Sequence, residues 1–259
     1  MSGQNGRYAI NSVLRAAQIL ESFSLEKPTY SHAEISKNLG LNKAAVTRLL
    51  FSLEKAGLLE KDAETGRFGL TIRAYQIGSV YISLTGIPQA ARPHLSELAS
   101  LCKESTHLSI LRDFEVVYID KVECSRPIRM MSYVGRKMPA YCTGTGKVLL
   151  AHLSEEDLKR YLQSVKLKPR TPNTITRAAL LKAEMEEIRS AGYAVDNAEN
   201  ETEVMSLAAP IRDQSGKVVA AVSTAGPVYR MAEKGVREKF VPLVIRAAES
   251  ISRKLGYGK

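Results

Sequence analysis

The sequence predicts an α+β chain in two parts, a small helical N-terminal domain carrying a short β-hairpin and a larger domain built on an antiparallel sheet. Three observations carry this expectation. Apolar residues recur at helical spacing in three separate runs before residue 56. From His107 onward the period switches to short, partly β-branched runs separated by turn residues. Late in the chain Asp213-Gln214-Ser215-Gly216, a strong hairpin turn, stands between two further strand-like runs.

At 259 residues the chain is long enough for two ordinary domains, and its 44% apolar and 25% charged residues are those of a globular protein. No apolar run reaches transmembrane length. The opening MSGQNGRYAINS lacks the basic-then-apolar layout of a secretory signal, so a cytoplasmic location and no membrane partner are expected. A net charge of +10 favours an anionic partner such as nucleic acid. That excess is spread out, with 10 basic against 7 acidic residues in 1–90 and 27 against 20 in 91–259. Cys102, Cys124 and Cys142 are too few and too distant for a disulfide framework, and no histidine sits near them at metal-ligand spacing. Neither a metal nor a cofactor is expected.

The elements follow in order. Residues 1–8 are polar and expected to lack fixed structure. Ile10 to Phe23 is an amphipathic helix, and Lys27-Pro28-Thr29 is a break. A helix then begins at Ser31, a cap with Glu34 three residues on, and stops at Gly40. The next begins after Asn42 and runs through Val46, Leu49, Leu50 and Leu53 to Gly57. Leu58 to Leu70 reads as two short strands around a turn. Ile72 to Leu84 is helical with an apolar surface too broad for a solvated linker, so it must pack on the second domain or on another chain; Gly86-Ile87-Pro88 ends it. A helix over 90–103 with its start near Pro88, strands over 107–112, 116–122 and 128–133, and a helix over 144–153 come next. Helices through Leu162 and from Thr176 to Ala191 follow, then strands over 193–195, 206–212 and 217–225, and a last helix from Lys234 to Leu255.

Two short helices across a Gly turn, the second opening with small, polar and basic residues, make a helix-turn-helix layout, and the hairpin behind it is a wing. Asn42, Lys43, Ala44, Thr47 and Arg48 are the residues expected in the major groove, with Arg48 suited to guanine and Lys43 to phosphate. Lys61 and Arg67 are expected to touch phosphates from the wing, and Ser31 and His32 to lie near them. The competing reading, a small helical domain with a merely solvated face, explains neither the wing nor the polar helix start.

Four stretches then resemble the IclR-type transcriptional regulators: the N-terminal winged helix-turn-helix, RKMPAYCTGTGKVLLAHLS (136–154), GYAVDNAENE (192–201) and SLAAPIRDQSGKVVAAVSTAGP (206–227). The resemblance covers nearly the whole chain. It implies a winged helix-turn-helix domain at 1–71, a linker helix at 72–87, and a GAF-like effector-binding and oligomerisation domain at 88–259. It also implies homodimers that can pair into tetramers on double-stranded operator DNA. The effector it implies is a small carboxylate: a sugar acid, keto acid or aromatic acid. By position, the effector pocket would be floored by Thr143, Gly144 and Thr145 at a helix start, whose free N–H groups suit a carboxylate. Polar contacts would come from Asp196, Ser206 and Ser223, and apolar walls from Met130, Met138 and Val204. The chain departs from the family pattern at Ser206, where many relatives have Cys, and at Glu203, where many have Gly. The first supplies a stronger hydrogen-bonding group, and the second a bulky acid expected beside the pocket. Ser125 to Gly135 resembles the ketodeoxygluconate-responsive branch.

The expected function is that of a ligand-responsive bacterial transcription factor, most simply a repressor of a catabolic operon. The rivals are an enzyme or sensor built on the second domain, and a DNA-binding protein without effector input. Gly144-Thr145-Gly146-Lys147 hints at a phosphate-binding loop, but the first glycine of that pattern falls on Tyr141 and the position after Lys147 is Val148. No hydrolase, zincin or dinucleotide motif is present, so no catalytic residue is named.

Overall fold

Side-chain caps fix where the first helices begin. Ser31 Oγ accepts from the Glu34 N–H (3.3 Å) while the Glu34 carboxylate accepts from the Ser31 N–H (2.8 Å), so the expected capping box is complete. Asn42 Oδ1 accepts from the Ala45 N–H at 2.9 Å. The computed structural model describes residues 9–258, and the expectation for residues 1–8 lies outside them. The chain divides into two compact units with the boundary between Leu84 and Thr85.

The first unit runs α1 (Asn11–Glu21), β1 (Thr29–Tyr30), α2 (His32–Leu39), α3 (Lys43–Lys55), β2 (Leu59–Lys61), β3 (Phe68–Leu70) and α4 (Ile72–Thr85). Ile19, Ile35, Val46, Leu50, Leu53, Leu59 and Phe68 form its core. Gly40 ends α2 in the left-handed region (φ 62°), which a Cβ would disfavour. β1 was not foreseen, because Lys27-Pro28-Thr29 reads as a break. Thr29 and Tyr30 pair with Gly69 and Phe68 to give a three-stranded sheet in the order β1-β3-β2. Two residues show no alternation, and tertiary contacts decide this strand: Tyr30 packs edge-on against Phe23 (5.3 Å) and its hydroxyl donates to Ser22 O (2.9 Å). On α4, Ile72, Tyr75, Ile77, Val80, Tyr81 and Leu84 are all exposed, as are Ile10, Val13 and Leu14 at the start of α1.

The second unit begins with α5 (Ile87–Cys102), β4 (Ser105–Arg112), β5 (Glu115–Val122), β6 (Lys137–Pro139), a 3-10 turn at Ala140–Cys142 and α6 (Gly144–Ala151). It continues with α7 (Glu155–Ser164), α8 (Ala178–Ala191), β7 (Ala194–Asn197), β8 (Val204–Arg212), β9 (Val218–Pro227), α9 (Val228–Met231) and α10 (Val236–Lys254). Six antiparallel strands stand in the order β6-β5-β4-β9-β8-β7. Helices α5 and α10 pack on each other and on β4 and β8, while α6 packs on β8, β9 and α8. Val116, Tyr118, Met138, Val148, Leu150, Tyr161, Leu181 and Met185 belong to the core around α6.

Two boundaries correct the sequence reading. The run 128–133 is no strand; the strand beside β5 is β6, which pairs Val116 with Met138. Only Ile128 in that run is β-branched, so its strand propensity is weak, although Met130 packs on the core and Ser132 is buried. Helix α5 begins at Ile87, one residue before the expected start near Pro88, because Gly86 takes φ 64° and Pro88 sits in the first turn, where proline costs no hydrogen bond.

Gly146, on α6, has no room for a side chain: an added Cβ would overlap the Ala140 carbonyl oxygen and lie 2.5 Å from Ala140 Cα and Thr143 Oγ1. Gly146→Ala is therefore expected to destabilise the second unit by about 1–3 kcal/mol, read as a lower urea midpoint at an unchanged m-value.

Candidate functional site

Two surfaces gather the residues singled out above. In the first unit, α3 buries Val46, Leu50 and Leu53, which leaves Asn42, Lys43, Ala44, Thr47 and Arg48 exposed together on its other side. Thr47 Oγ1 donates to Lys43 O (2.9 Å) and lies 2.9 Å from His32 Nε2, so α2 and α3 are tied at the solvent edge. Ser31 and Asn42 hold helix starts with their side chains, and the Ser31 N–H is itself taken by Glu34, so a backbone N–H for a phosphate is left to Asn42.

The wing residues separate. Lys61 is exposed. Arg67 is half-buried and already engaged: Nε donates to Thr29 Oγ1 (2.9 Å), and Nη2 donates to Thr29 O (3.0 Å) and to Glu34 Oε2 (2.8 Å). Expected as a phosphate contact, it instead clamps β3 to β1 and to the start of α2. Glu34 also accepts from Lys27 Nζ at 2.8 Å. That bond, with those from Ser31, holds its carboxyl well below the usual range, at about 2.

In the second unit, the strand register brings the other set together. Asp196 on β7 stands opposite Ser206 on β8, Ser206 opposite Ala225 on β9, and Ala208 opposite Ser223. Cross-strand partners share a face, so Asp196, Ser206 and Ser223 point the same way. They face the start of α6: a Cβ on Gly144 would lie 2.7 Å from Ser206 Oγ, so only glycine lets the helix approach this closely. Thr143 precedes α6 with an extended backbone, and its hydroxyl donates to Pro139 O (2.8 Å) instead of capping the helix. The first N–H groups of α6 therefore lack a side-chain cap, at the positive end of the helix dipole.

One cavity forms there. Thr143, Gly144, Thr145, Asp196, Ser206 and Ser223 line it, and Met130, Met138 and Val204 give it apolar walls, so all nine residues named from sequence border the same space. Tyr118, Asn200, Glu201 and Ala225 complete it, and of these Tyr118, Asn200 and Ala225 were not foreseen. Tyr118 and Ala225 follow from strand alternation only once the register is known; Asn200 and Glu201 stand at the end of the 192–201 stretch. Glu203, expected beside the pocket, is exposed and does not line it; the acid that does is Glu201. The space measures about 380 Å³ including its mouth, yet the centres of water molecules can occupy only about 20 Å³ of it. That is room for one or two waters, so a larger guest requires side chains to move.

Behind the cavity lies a buried charge network. Lys147 on α6 is 1% exposed, and its ammonium lies 2.8 Å from Glu184 on α8 and 2.5 Å from Glu199. The Glu199 N–H donates to Asp196 Oδ1 at 2.8 Å. Burial, reinforced by the Glu199 charge, pushes the Asp196 carboxyl up to about 7. Alongside, burial drives His107 down to about 3; it stacks on Tyr118 (4.8 Å) and lies 2.8 Å from Ser132 Oγ.

An exposed polar helix start beside a wing, joined in one chain to a sheet domain with a polar cavity, defines a DNA-binding regulator with a ligand-binding domain. The comparisons agree: residues 12–63 match the IclR helix-turn-helix domain and residues 79–253 match the bacterial transcriptional regulator IclR C-terminal domain. The HTH-type transcriptional regulator KdgR of Escherichia coli (strain K12) is 31% identical over 249 residues, 96% of this chain and 94% of that protein. The transcriptional repressor IclR of the same organism is 29% identical over 251 residues, 96% of this chain and 90% of its own. Among solved structures, the Thermotoga maritima IclR superposes with a TM-score of 0.74 at 36% identity, covering 96% of this chain and 100% of that one. The chain belongs to the IclR family of transcriptional regulators. Its relatives are named regulators of transcription and not enzymes. Among the described residues no helix is long and apolar enough to cross a membrane.

The Asp196 shift has a consequence for stability. Its folded value lies above its ordinary 3.8, so the native state holds a proton that the unfolded chain releases. Native stability is then expected to fall as pH rises from about 4 to about 7. Asp196→Asn should flatten that fall, its Oδ1 still accepting from Glu199. Urea melts of both proteins at pH 4 to 8 check this; parallel curves would contradict it.

Proposed function

We propose that the chain is an effector-responsive repressor of a catabolic operon, acting in the cytoplasm as a homodimer or tetramer. Residues 1–71 read double-stranded operator DNA, 72–87 carry the linker helix α4, and 88–259 take a small carboxylate and hold the oligomer together. The observation that carries this reading is the cavity itself, where an uncapped helix start and three convergent polar side chains meet apolar walls. A helix N-terminus favours an anion, and the hydroxyl and carboxyl groups opposite suit the oxygens of a sugar acid, keto acid or aromatic acid. The apolar side chains left exposed on α1 and α4 support pairing between copies, since so broad a stripe is a poor solvated surface. The name of the relative that is a repressor supports the sign of the response.

In this mechanism the α3 helices of a symmetric pair enter successive major grooves of a palindromic site. Lys43, Ala44, Thr47 and Arg48 face the bases or the phosphates beside them, the Asn42 backbone and Lys61 hold the phosphates, and Ser31 lies close to them. Effector in the cavity favours one arrangement of the linker helices and shifts the population that fits the operator. Coupling of this kind requires that the effector bind the two arrangements with different affinity.

The test is an anisotropy titration onto labelled DNA from upstream of its own gene, with scrambled competitor, across a salt series and with small acids added. Binding that survives competitor and weakens with one of the acids is the expected result; operator affinity indifferent to every acid overturns the effector reading. In the same assay Arg48→Ala is expected to cost about 1–3 kcal/mol and to relax preference for operator over scrambled DNA. Lys61→Ala should weaken binding to both DNAs alike and lower the salt slope by about one.

A further inference from the structure

The cavity's side chains present a puzzle for an anionic guest. Its lining includes two acids, Asp196 and Glu201, and no Lys, Arg or His. The α6 N-terminus supplies only partial positive charge, and an anion set beside two carboxyl groups meets repulsion from either of them when ionised. A full cation stands one bond outside the wall. Arg136 Nη2 lies 3.3 Å from Glu201 Oε1, and its Nη1 donates to Met131 O at 2.8 Å, next to the wall residue Met130. Its backbone is pinned to another wall residue: Tyr118 N–H donates to Arg136 O (3.2 Å), and Gly135 N–H donates to Tyr118 O (2.7 Å). Arg136 is thus fixed at the rim by its main chain and by the Nη1 bond to Met131 O, while Nη2 makes one long contact to Glu201. An arginine matched to a carboxylate makes two short parallel bonds, and this pair falls short of that. Both partners also keep access to water, with side-chain exposures of 24% for Arg136 and 42% for Glu201.

We infer that Glu201 is an internal stand-in for the effector's acidic group, occupying Arg136 in the empty protein and yielding it to an incoming carboxylate. The inference rests on the reading of this cavity as the site of a small acid. Arg136 then determines specificity for the charged acid over its uncharged counterpart. The exchange also accounts for entry into so tight a space: as Glu201 leaves Arg136, the bond joining the 123–136 segment to the 197–203 loop is broken, and Met130 and Glu201 move apart. Ionic partners change and no covalent bond does.

The experiment is calorimetric titration of the full-length protein with gluconate, pyruvate and benzoate, each beside its amide, on wild type, Arg136→Gln and Glu201→Gln. For whichever acid binds, Arg136→Gln is expected to raise Kd about tenfold, the loss of one charge-assisted bond, and to leave amide binding within about twofold. Glu201→Gln removes the internal competitor and is expected to tighten acid binding severalfold. A merely structural pair moves both variants the same way and affects acid and amide equally, and that result overturns the inference while leaving the cavity as the effector site. A wild type that takes none of these acids while its operator affinity ignores a wider acid panel removes the effector reading and this inference with it. If Arg136→Gln melts below the assay temperature, the sign of the Glu201→Gln change decides alone.

Discussion

A lysine ammonium in a space from which water is excluded is the constraint around which the second unit is arranged. Lys147 has 1% of its surface exposed and is answered by Glu184 and Glu199, from α8 and from the turn after β7. An unpaired buried charge costs several kcal/mol, so these three groups must converge if the fold is to form. Their convergence locks α6 against α8 and against the β7 end of the sheet. It also sets the position of Asp196, whose carboxyl is held by the Glu199 N–H. The cavity floor and its titrating wall residue are therefore fixed by one ionic network behind them.

The first unit repeats the device on a smaller scale and nearer to water. Glu34 caps its own helix while accepting from Lys27 and from Arg67. One carboxylate thus joins the start of α2, the break before it and the wing. An exposed pair of this kind contributes little to stability, but it orients the wing relative to α2. Arg67 serves orientation in the same way, which is why a basic residue at a wing tip, a natural phosphate contact by sequence, is occupied by protein groups here.

The helices were legible in the sequence wherever a cap and a period agreed: Ser31 with Glu34, Asn42 before Val46, Gly192 after Ala191. The wing's turn was legible from Asp62 and Gly66, and the hairpin from Asp213 to Gly216. What failed were short strands without alternation. Thr29–Tyr30 and Lys137–Pro139 exist because neighbours offer them unpaired backbone, whereas the run 128–133 forms no ladder with β5, which β6 pairs only at residues 115–117. Local propensity carries no record of which backbone edges are available elsewhere in the fold.

The nine cavity residues were nameable because four stretches resemble a family, not because any of them advertises a site. Met130 reads as ordinary core, and Ser206 as an ordinary strand residue. By itself the sequence determined the order and type of the elements, the helix caps and the polar start of α3, since these depend on residues within a few positions of one another. Only the tertiary structure decided that Glu201 and not Glu203 borders the cavity, that Arg67 is a clamp, and that Arg136 stands at the rim. Those outcomes depend on strand register and on contacts between residues 33 to 65 positions apart. A shift of one residue in β8 would turn Ser206 to the other face of the sheet, and no local pattern records which register is taken.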